Sequence, residues 1–547
     1  MAAPERRRVG VYGWGVVAPG APTVQALEAL LARGASALAA DRRAELGYGL
    51  FASGDPQFDS ADYAPWIAQR HGEPYVARMR AKMGENVWFA TGAMIQALGC
   101  SNELEPLIRQ ADDRCHIYVG SGVGDLPQSY AAVRTLDAAT RAWNHFWGAS
   151  AARPHGASSL ADQPAAPPAA GSGDALAQNG PPTNPESLPV DSEERYQAVG
   201  AWDAYWAERS PALRDFLARY AEVERMTADD EERDQAHLHA IRKRMRAHQA
   251  LLQEYGCPPP PWTQVSSKLI WNIQNSPAAQ ISMLLNVHGA AWAPVGACST
   301  FGVALKCGRD AILRGEALLA ITGTTDPRPD AALVSAFHEA RVLPGTGEVN
   351  FPFTTLRGTH ISGGACMWVL GDAEWCEARG LRPLVYVDAV ELASDAEHII
   401  TPSKSGPKRA VARAYEAAGI SAEDVAVLDL HATGTPGDLN ELQLLEEFRG
   451  PATRVTARKG QLGHGMANAG GWELTALALS LRRGEALPIG VDPATIHPAI
   501  RQPGAIVTGA APLPSGVGVK LMLGIGGLTA CVVLRRAEAS GFTGAPQ

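Results

Sequence analysis

Long apolar runs are missing. No stretch of this 547-residue chain approaches the length needed to cross a bilayer, so no membrane insertion is expected. Paired cysteines are missing too. The eight cysteines stand singly with no C-x-x-C pair, which points to neither a zinc site nor a disulfide framework, and no metal is expected. Unpaired thiols fit a reducing compartment, so a cytoplasmic protein is expected. Nor is there an excess of positive charge. The formal net charge of −9 argues against general nucleic-acid binding, and an acidic partner would need a local basic patch. What is present is a soluble globular balance, 46% hydrophobic and 19% charged, in a chain long enough for two or three domain-sized units. The opening MAAPERRRVGVYGWGVVAPG sets arginines before an apolar run as a signal peptide does, but its glycines and proline argue for a strand and a turn.

Taken in order, the pattern alternates. Residues 8–19 read as a buried strand, 23–31 and 83–99 as helices, and 116–121 as another buried strand, which is the signature of a layered α/β domain. The run Gly13-Trp14-Gly15-Val16-Val17-Ala18 fits a loose dinucleotide fingerprint. It lacks the second strand with an acidic residue about 20 positions on, and close helix–strand packing explains its glycines as well. From Gly148 to Pro189 the composition turns to Ala, Pro, Gly and Ser, expected as a disordered linker. Helical periodicity follows over 190–255, with one apolar stripe at Leu213, Phe216, Leu217, Tyr220 and Val223 and another at Leu238, Ile241, Met245 and Leu252. The basic cluster Arg242–Arg246 reads as a solvated helix face or a landing site for an acidic carrier protein. His237, His239 and His248 are not at metal-ligand spacing. A second α/β half runs from about Leu381, with strands at 385–390 and 425–430, a helix at 407–418, and two strands joined by a glycine turn over 516–534.

The chemistry-bearing residues sit at the ends of these elements. Cys298, in APVGACSTFGVALKCGRD, lies where a buried strand is expected to meet a helix, and the helix's positive end favours the thiolate that attacks acyl groups. A lone buried cysteine is more often inert. Two histidines keep it unusual company. His431 follows the apolar strand VAVLDL, and His464 lies in a glycine-rich turn five residues beyond Lys459. The ends of strands are where α/β folds keep their chemistry.

GACST at Cys298, HATGTPGD at His431, K-x-x-x-G-H from Lys459 to His464 and GIGG at Gly524–Gly527 occur in this order in the β-ketoacyl synthase family, the elongating condensing enzymes of the thiolase superfamily, which this chain resembles. The likeness extends to RVGVYGWGVVAPG, AFHEARVL at 336–343, PF at 352–353 and SDAEH..TP at 394–402, and spares only about 130–258. It implies an α/β thiolase-type fold, two similar halves in a five-layer αβαβα arrangement. The first half would comprise 1–145 and 259–380 and the second 381–547, with 146–258 as an atypical insert; because its apolar stripes need burial, the helical part, about 190–255, is expected beside the active-site entrance or across a dimer interface. It implies Cys298 as the acyl-accepting nucleophile and His431 and His464 as donors to an enolate oxygen. The backbone N–H groups of Cys298 and Ile525 would form an oxyanion hole. Lys459 would orient the cluster, with Glu441 and Glu473 as its acidic partners. Thr433, Thr435, Gly526 and Gly527 would contact the phosphopantetheine arm. No cofactor is bound permanently; substrates arrive on acyl carrier protein or coenzyme A. The implied assembly is a homodimer, with a heterodimer as the alternative.

The chain departs from the family pattern in places. The gating phenylalanine of the GFGG turn is Ile525, the following Thr-Asn is Leu528-Thr529, GEGA reads Ser362-Gly363-Gly364-Ala365, and Ala432 replaces a glycine. Two rivals to a condensing enzyme follow. One is a chain-length-factor-like partner subunit, against which the cysteine speaks. The other is an acyltransferase without decarboxylation, which has no need of a second histidine.

Overall fold

The computed structural model describes residues 7–151, 181–226, 233–397 and 405–537. Two compact units divide the chain, one formed by 1–128 and 270–547, the other by 129–269. The larger unit holds ten strands in one sheet: β1 (Val9–Val17), β2 (Cys115–Gly120), β3 (Ala291–Trp292), β4 (Leu319–Asp326), β5 (Gly364–Asp372), β6 (Val385–Ser394), β7 (Val425–Asp429), β8 (Arg454–Thr456), β9 (Val517–Gly524) and β10 (Leu528–Arg536). Their spatial order is β8-β7-β9-β10-β6-β1-β5-β4-β2-β3. Read outward from the middle, β1-β5-β4-β2-β3 is matched strand for strand by β6-β10-β9-β7-β8. The pairing is matched as well: antiparallel, antiparallel, parallel, parallel in each half. The duplication that the residues alone hide is plain in the topology. Among the described residues the two five-stranded sheets join at their first strands, through Gly10–Tyr386 and Val11–Val385.

Helices fill the layers in equivalent places. Glu85–Leu98, which precedes β2, covers the outer face of the first sheet, and Ser405–Ala418, which precedes β7, covers that of the second. Thr300–Leu313 and Ala469–Arg483 lie between the sheets, against each other. Apolar cores lie between the layers. The middle one is centred on Phe301, Trp368, Trp472 and Met522; Val119, Phe89 and Ile281 belong to one outer core, Val411, Leu428 and Cys531 to the other. This is the thiolase fold.

The fingerprint-like glycines are packing residues. Gly13 and Gly15 lie inside β1, and a Cβ on them would stand 2.3 Å from the Ala97 carbonyl oxygen and 1.9 Å from that of Ala93 on the covering helix. No phosphate-binding turn is made there. One expectation is corrected at Cys298: the strand before it is the two-residue edge strand β3, with Trp292 and Val295 exposed, because Pro294 and the sheet edge end the pairing.

The smaller unit packs Leu126–Ala151, Pro211–Glu224 and Arg233–Tyr255 around Trp143, Trp147, Phe216 and Leu251, with Glu193–Arg209 contributing Ala207. Most of the expected linker, 152–180, lies outside the described residues, as does much of the 394–402 segment. Gly148 itself is helical, and a short turn occupies Pro185–Ser187. The first apolar stripe holds except for Leu217, which is exposed. In the second, the Leu238 side chain lies outside the described residues and Met245 is exposed. The packed face runs instead through Ala240, Arg244, His248 and Leu251, because Glu224 pairs with Arg244 and His248, and Tyr220 stacks on His248 at 4.2 Å.

Substituting Gly15→Ala should destabilise the protein by about 2 kcal/mol through overpacking. Equilibrium denaturation measures it, and an unchanged midpoint would contradict the close approach of helix and strand.

Candidate active site

Each half supplies one part of the site. From the first half comes the turn Ala297–Ser299, which runs directly into the helix Thr300–Leu313. Ala297 adopts φ 50, in the left-handed region, at a cost of about 1 kcal/mol. Its neighbours hold it there: the Thr300 hydroxyl donates to the Ala297 carbonyl at 2.6 Å and accepts from the Gly296 N–H at 3.0 Å. The Ser299 hydroxyl reaches across to the second half, against the carbonyls of Met522 (3.1 Å) and Leu528 (2.9 Å) on either side of the glycine turn. Gly526, at φ 97, and Gly527, at φ 75, make that turn possible.

From the second half come the histidines. His431 follows β7, and His464 follows the short helix Lys459–Leu462. Their rings lie 5.4 Å apart, nearly perpendicular, and both are buried. The Met466 N–H donates to His464 Nδ1 at 3.2 Å, and the Lys459 ammonium stands 3.4 Å from His431 Nδ1. Each Nδ1 is therefore an acceptor, which assigns the remaining ring proton to Nε2 in both residues. Burial, followed by the charges of Lys459 and Lys520, holds both imidazoles well below their usual pKa, so both are neutral donors.

Lys459 donates to the His431 carbonyl and to Glu473 Oε1, the latter at 2.8 Å. Glu473 is thus an acidic partner of the lysine, as expected. Glu441 is not. Its two oxygens accept the backbone N–H groups of His431 (2.7 Å) and Ala432 (2.9 Å), fixing the turn rather than the charge, and burial raises its pKa to about 7. Asp438 caps the same loop, accepting from Thr433 N–H at 2.9 Å and Phe353 N–H at 3.0 Å. This role was not read from the sequence, although the Pro-Gly-Asp ending of HATGTPGD is a turn-capping signal. The Thr433 and Thr435 hydroxyls are 3.0 Å apart.

A cavity of about 550 Å³ joins these parts. Cys298, His431, His464, Thr433, Thr435, Glu441 and Ile525 line it, whereas Lys459, Glu473, Gly526 and Gly527 are not among its lining residues. Phe337, Arg341 and Val342, from the AFHEARVL segment, line its other side.

The thiol itself departs from expectation. Burial pushes the Cys298 pKa up to about 11, against the opposing pull of the Ile525 backbone amide and of Lys459. The helix terminus does not offset full desolvation. Cys298 therefore rests as a neutral thiol.

Two family models match the chain: the β-ketoacyl synthase N-terminal domain over residues 224–374 and the C-terminal domain over 385–490. Residues 224–374 and 385–490 belong to the β-ketoacyl synthase family. It is 30% identical over 285 residues to 3-oxoacyl-[acyl-carrier-protein] synthase 2 of Staphylococcus aureus (strain COL), covering 49% of this chain and 66% of that relative. To Nodulation protein E of Rhizobium meliloti it is 31% identical over 217 residues, 39% of this chain and 53% of the relative. The chain thus spans just under two thirds of the first of these curated relatives and about half of the second. Among solved structures, a β-ketoacyl synthase from Burkholderia phymatum STM815 superposes with a TM-score of 0.64 at 16% identity, over 97% of this chain and all of the other. A type II PKS acyl-carrier protein in complex with its ketosynthase bound to the hexaketide gives 0.65 at 16%, over 98% of this chain and 100% of that one. The ishigamide ketosynthase/chain length factor gives 0.63 at 17%, over 97% and 100%. At these identities the structural likenesses speak to the fold. Among the described residues no helix is long and apolar enough to cross a membrane.

The raised thiol pKa has a direct consequence. Alkylation of Cys298 by iodoacetamide should accelerate about tenfold per pH unit through the neutral and mildly alkaline range. A rate that levels off above about pH 8 would contradict the neutral resting thiol.

Proposed function

We propose that this chain is a β-ketoacyl-acyl carrier protein synthase, joining an acyl thioester to malonyl-carrier protein by decarboxylative Claisen condensation in fatty-acid or polyketide-type synthesis. The observation that carries this reading is the pair of neutral imidazoles, each protonated on Nε2, on the wall of the cavity that holds the Cys298 thiol. Plain acyl transfer forms one oxyanion. Two further neutral N–H donors have a use where a second one, an enolate, must form.

In the first half-reaction the Cys298 sulfur attacks the acyl carbonyl. The oxyanion that forms is held by the backbone N–H groups of Cys298 and Ile525. The bond to the pantetheine sulfur then breaks, and the proton lost from Cys298 leaves with that sulfur. In the second, the malonyl thioester loses carbon dioxide, and the electrons of the broken C–C bond form an enolate whose oxygen accepts from His431 and His464 Nε2–H. The enolate carbon attacks the acyl carbonyl, the bond to Cys298 breaks, and the thiolate takes up one proton from solvent. Thr433, Thr435, Gly526 and Gly527 border the path of the phosphopantetheine arm. No permanently bound cofactor enters the scheme, and either carrier protein or coenzyme A can deliver the starter. The exposed basic residues Arg242, Lys243 and Arg246 remain our candidate for contact with an acidic carrier.

We also propose a homodimer through the β3 edge. Trp292 on that strand is exposed, together with Ile270, Ile273, Met283 and Val295, and an unpaired edge invites a second copy of the strand.

Intact-protein mass spectrometry after incubation with a panel of acyl thioesters tests the reading. A gain of one acyl group, absent in Cys298→Ala, is expected. Failure of every donor to load would overturn it in favour of a partner-subunit role.

A further inference from the structure

The run GVGVKLMLG on β9 is apolar but for one residue, Lys520, and that residue is completely buried. Strand alternation points Lys520 the same way as Met522, into the layer between the sheets, where the helix Ala469–Arg483 brings Glu473. Its ammonium has three close partners, two by hydrogen bonds and one by an ion pair. Asp429 Oδ1 lies at 2.6 Å, the Leu430 carbonyl at 2.8 Å and Glu473 Oε2 at 2.7 Å. The other Glu473 oxygen holds Lys459. Asp429, in turn, accepts from the Thr456 hydroxyl at 2.6 Å. The result is a buried chain of alternating charge, Asp429–Lys520–Glu473–Lys459, that ends on the carbonyl and Nδ1 of His431.

We propose that Lys520 is a positioning residue for the condensation: with Asp429 it anchors the far oxygen of Glu473, and through Glu473 it fixes Lys459 against His431. The inference rests on the functional reading above. A carboxylate held by one lysine alone could rotate or share its second oxygen with water; held by two, it has a single orientation. Burial by itself would neutralise Lys520, but Asp429 and Glu473 more than offset it and hold its pKa above the usual lysine value. The cation then acts at a distance on both rings. Beyond burial, the charges that oppose protonation are Lys459, then His464, then Lys520 at His431, and Lys459, then Lys520 at His464; Glu441 faces the His431 backbone and Glu473 is already shared between the lysines. Lys520 thereby helps keep both histidines as neutral Nε2–H donors.

The test uses Lys520→Met and the charge-balanced Asp429→Asn/Lys520→Met, each against the full-length wild type. Three quantities are read: acylation of Cys298 by intact mass, carbon dioxide release from malonyl-carrier protein, and imidazole titration by NMR. Carbon dioxide release should fall about tenfold to a hundredfold while acylation falls much less. Both imidazole pKa values should move up, because a cation that opposed protonation is gone, and the acid limb of the release profile should move up with them. Equal loss of both half-reactions with unmoved titrations, no change in any quantity, or failure of both variants to fold would overturn the assignment in favour of a purely structural ion pair. A wild type that neither loads nor releases carbon dioxide would instead defeat the functional reading. The NMR titration, which needs no substrate, would still decide the role of Lys520.

Discussion

The site depends on Glu473. Its two oxygens hold Lys459 at 2.8 Å and Lys520 at 2.7 Å, and all three side chains are shut away from solvent. Burying such charges costs several kcal/mol for each ion, a cost that mutual attraction recovers only when every donor and acceptor is placed. Here they are placed: each ammonium has a carboxylate and a backbone carbonyl, and each carboxylate oxygen of Glu473 has one ammonium. The cluster therefore reads less as a source of stability than as a fixed arrangement of charge behind two histidines. Together with burial it keeps those histidines neutral, and at His431 the Lys459 contact to Nδ1 leaves the ring proton on Nε2, as the Met466 N–H does at His464.

Everything else serves to bring Cys298 to that arrangement. Among the described residues the duplicated sheets pair through β1 and β6, and the helix that follows Cys298 and the helix that carries Glu473 share the layer between them. The Ser299 hydroxyl, bridging from the turn that holds Cys298 to the strands on both sides of Gly524–Gly527, locks the two contributions together. Backbone closeness is needed at this seam. A Cβ on Gly524 would meet the Gly296 carbonyl oxygen at 2.6 Å.

Much of this was legible in the residues. Cys298, His431, Lys459 and His464 declare themselves by standing at element ends in glycine-rich company, and strand and helix periods locate most of the layers. The topology was not legible, because strand order depends on contacts between residues hundreds of positions apart and the halves share no visible residue pattern. Lys520 escaped for a related reason. A single lysine in an apolar strand looks like an edge or surface position until its partners, Asp429 and Glu473, are brought beside it. Its cue was the even spacing with Gly518 and Met522, both inward-facing. The resting state of Cys298 was misread because the helix terminus is visible in sequence and the depth of burial is not. Glu441 was assigned to the lysine by the family resemblance, yet the backbone N–H groups of His431 and Ala432 bind it instead.

The most direct test of the account is to load Cys298 with a tolerated acyl group, add malonyl-carrier protein, and follow carbon dioxide and product together. The account predicts one carbon dioxide released for each 3-oxoacyl chain formed, with the cysteine returned unmodified. Transfer of the acyl group to an acceptor without any release of carbon dioxide would contradict it and make the chain an acyltransferase built on a condensing enzyme's fold.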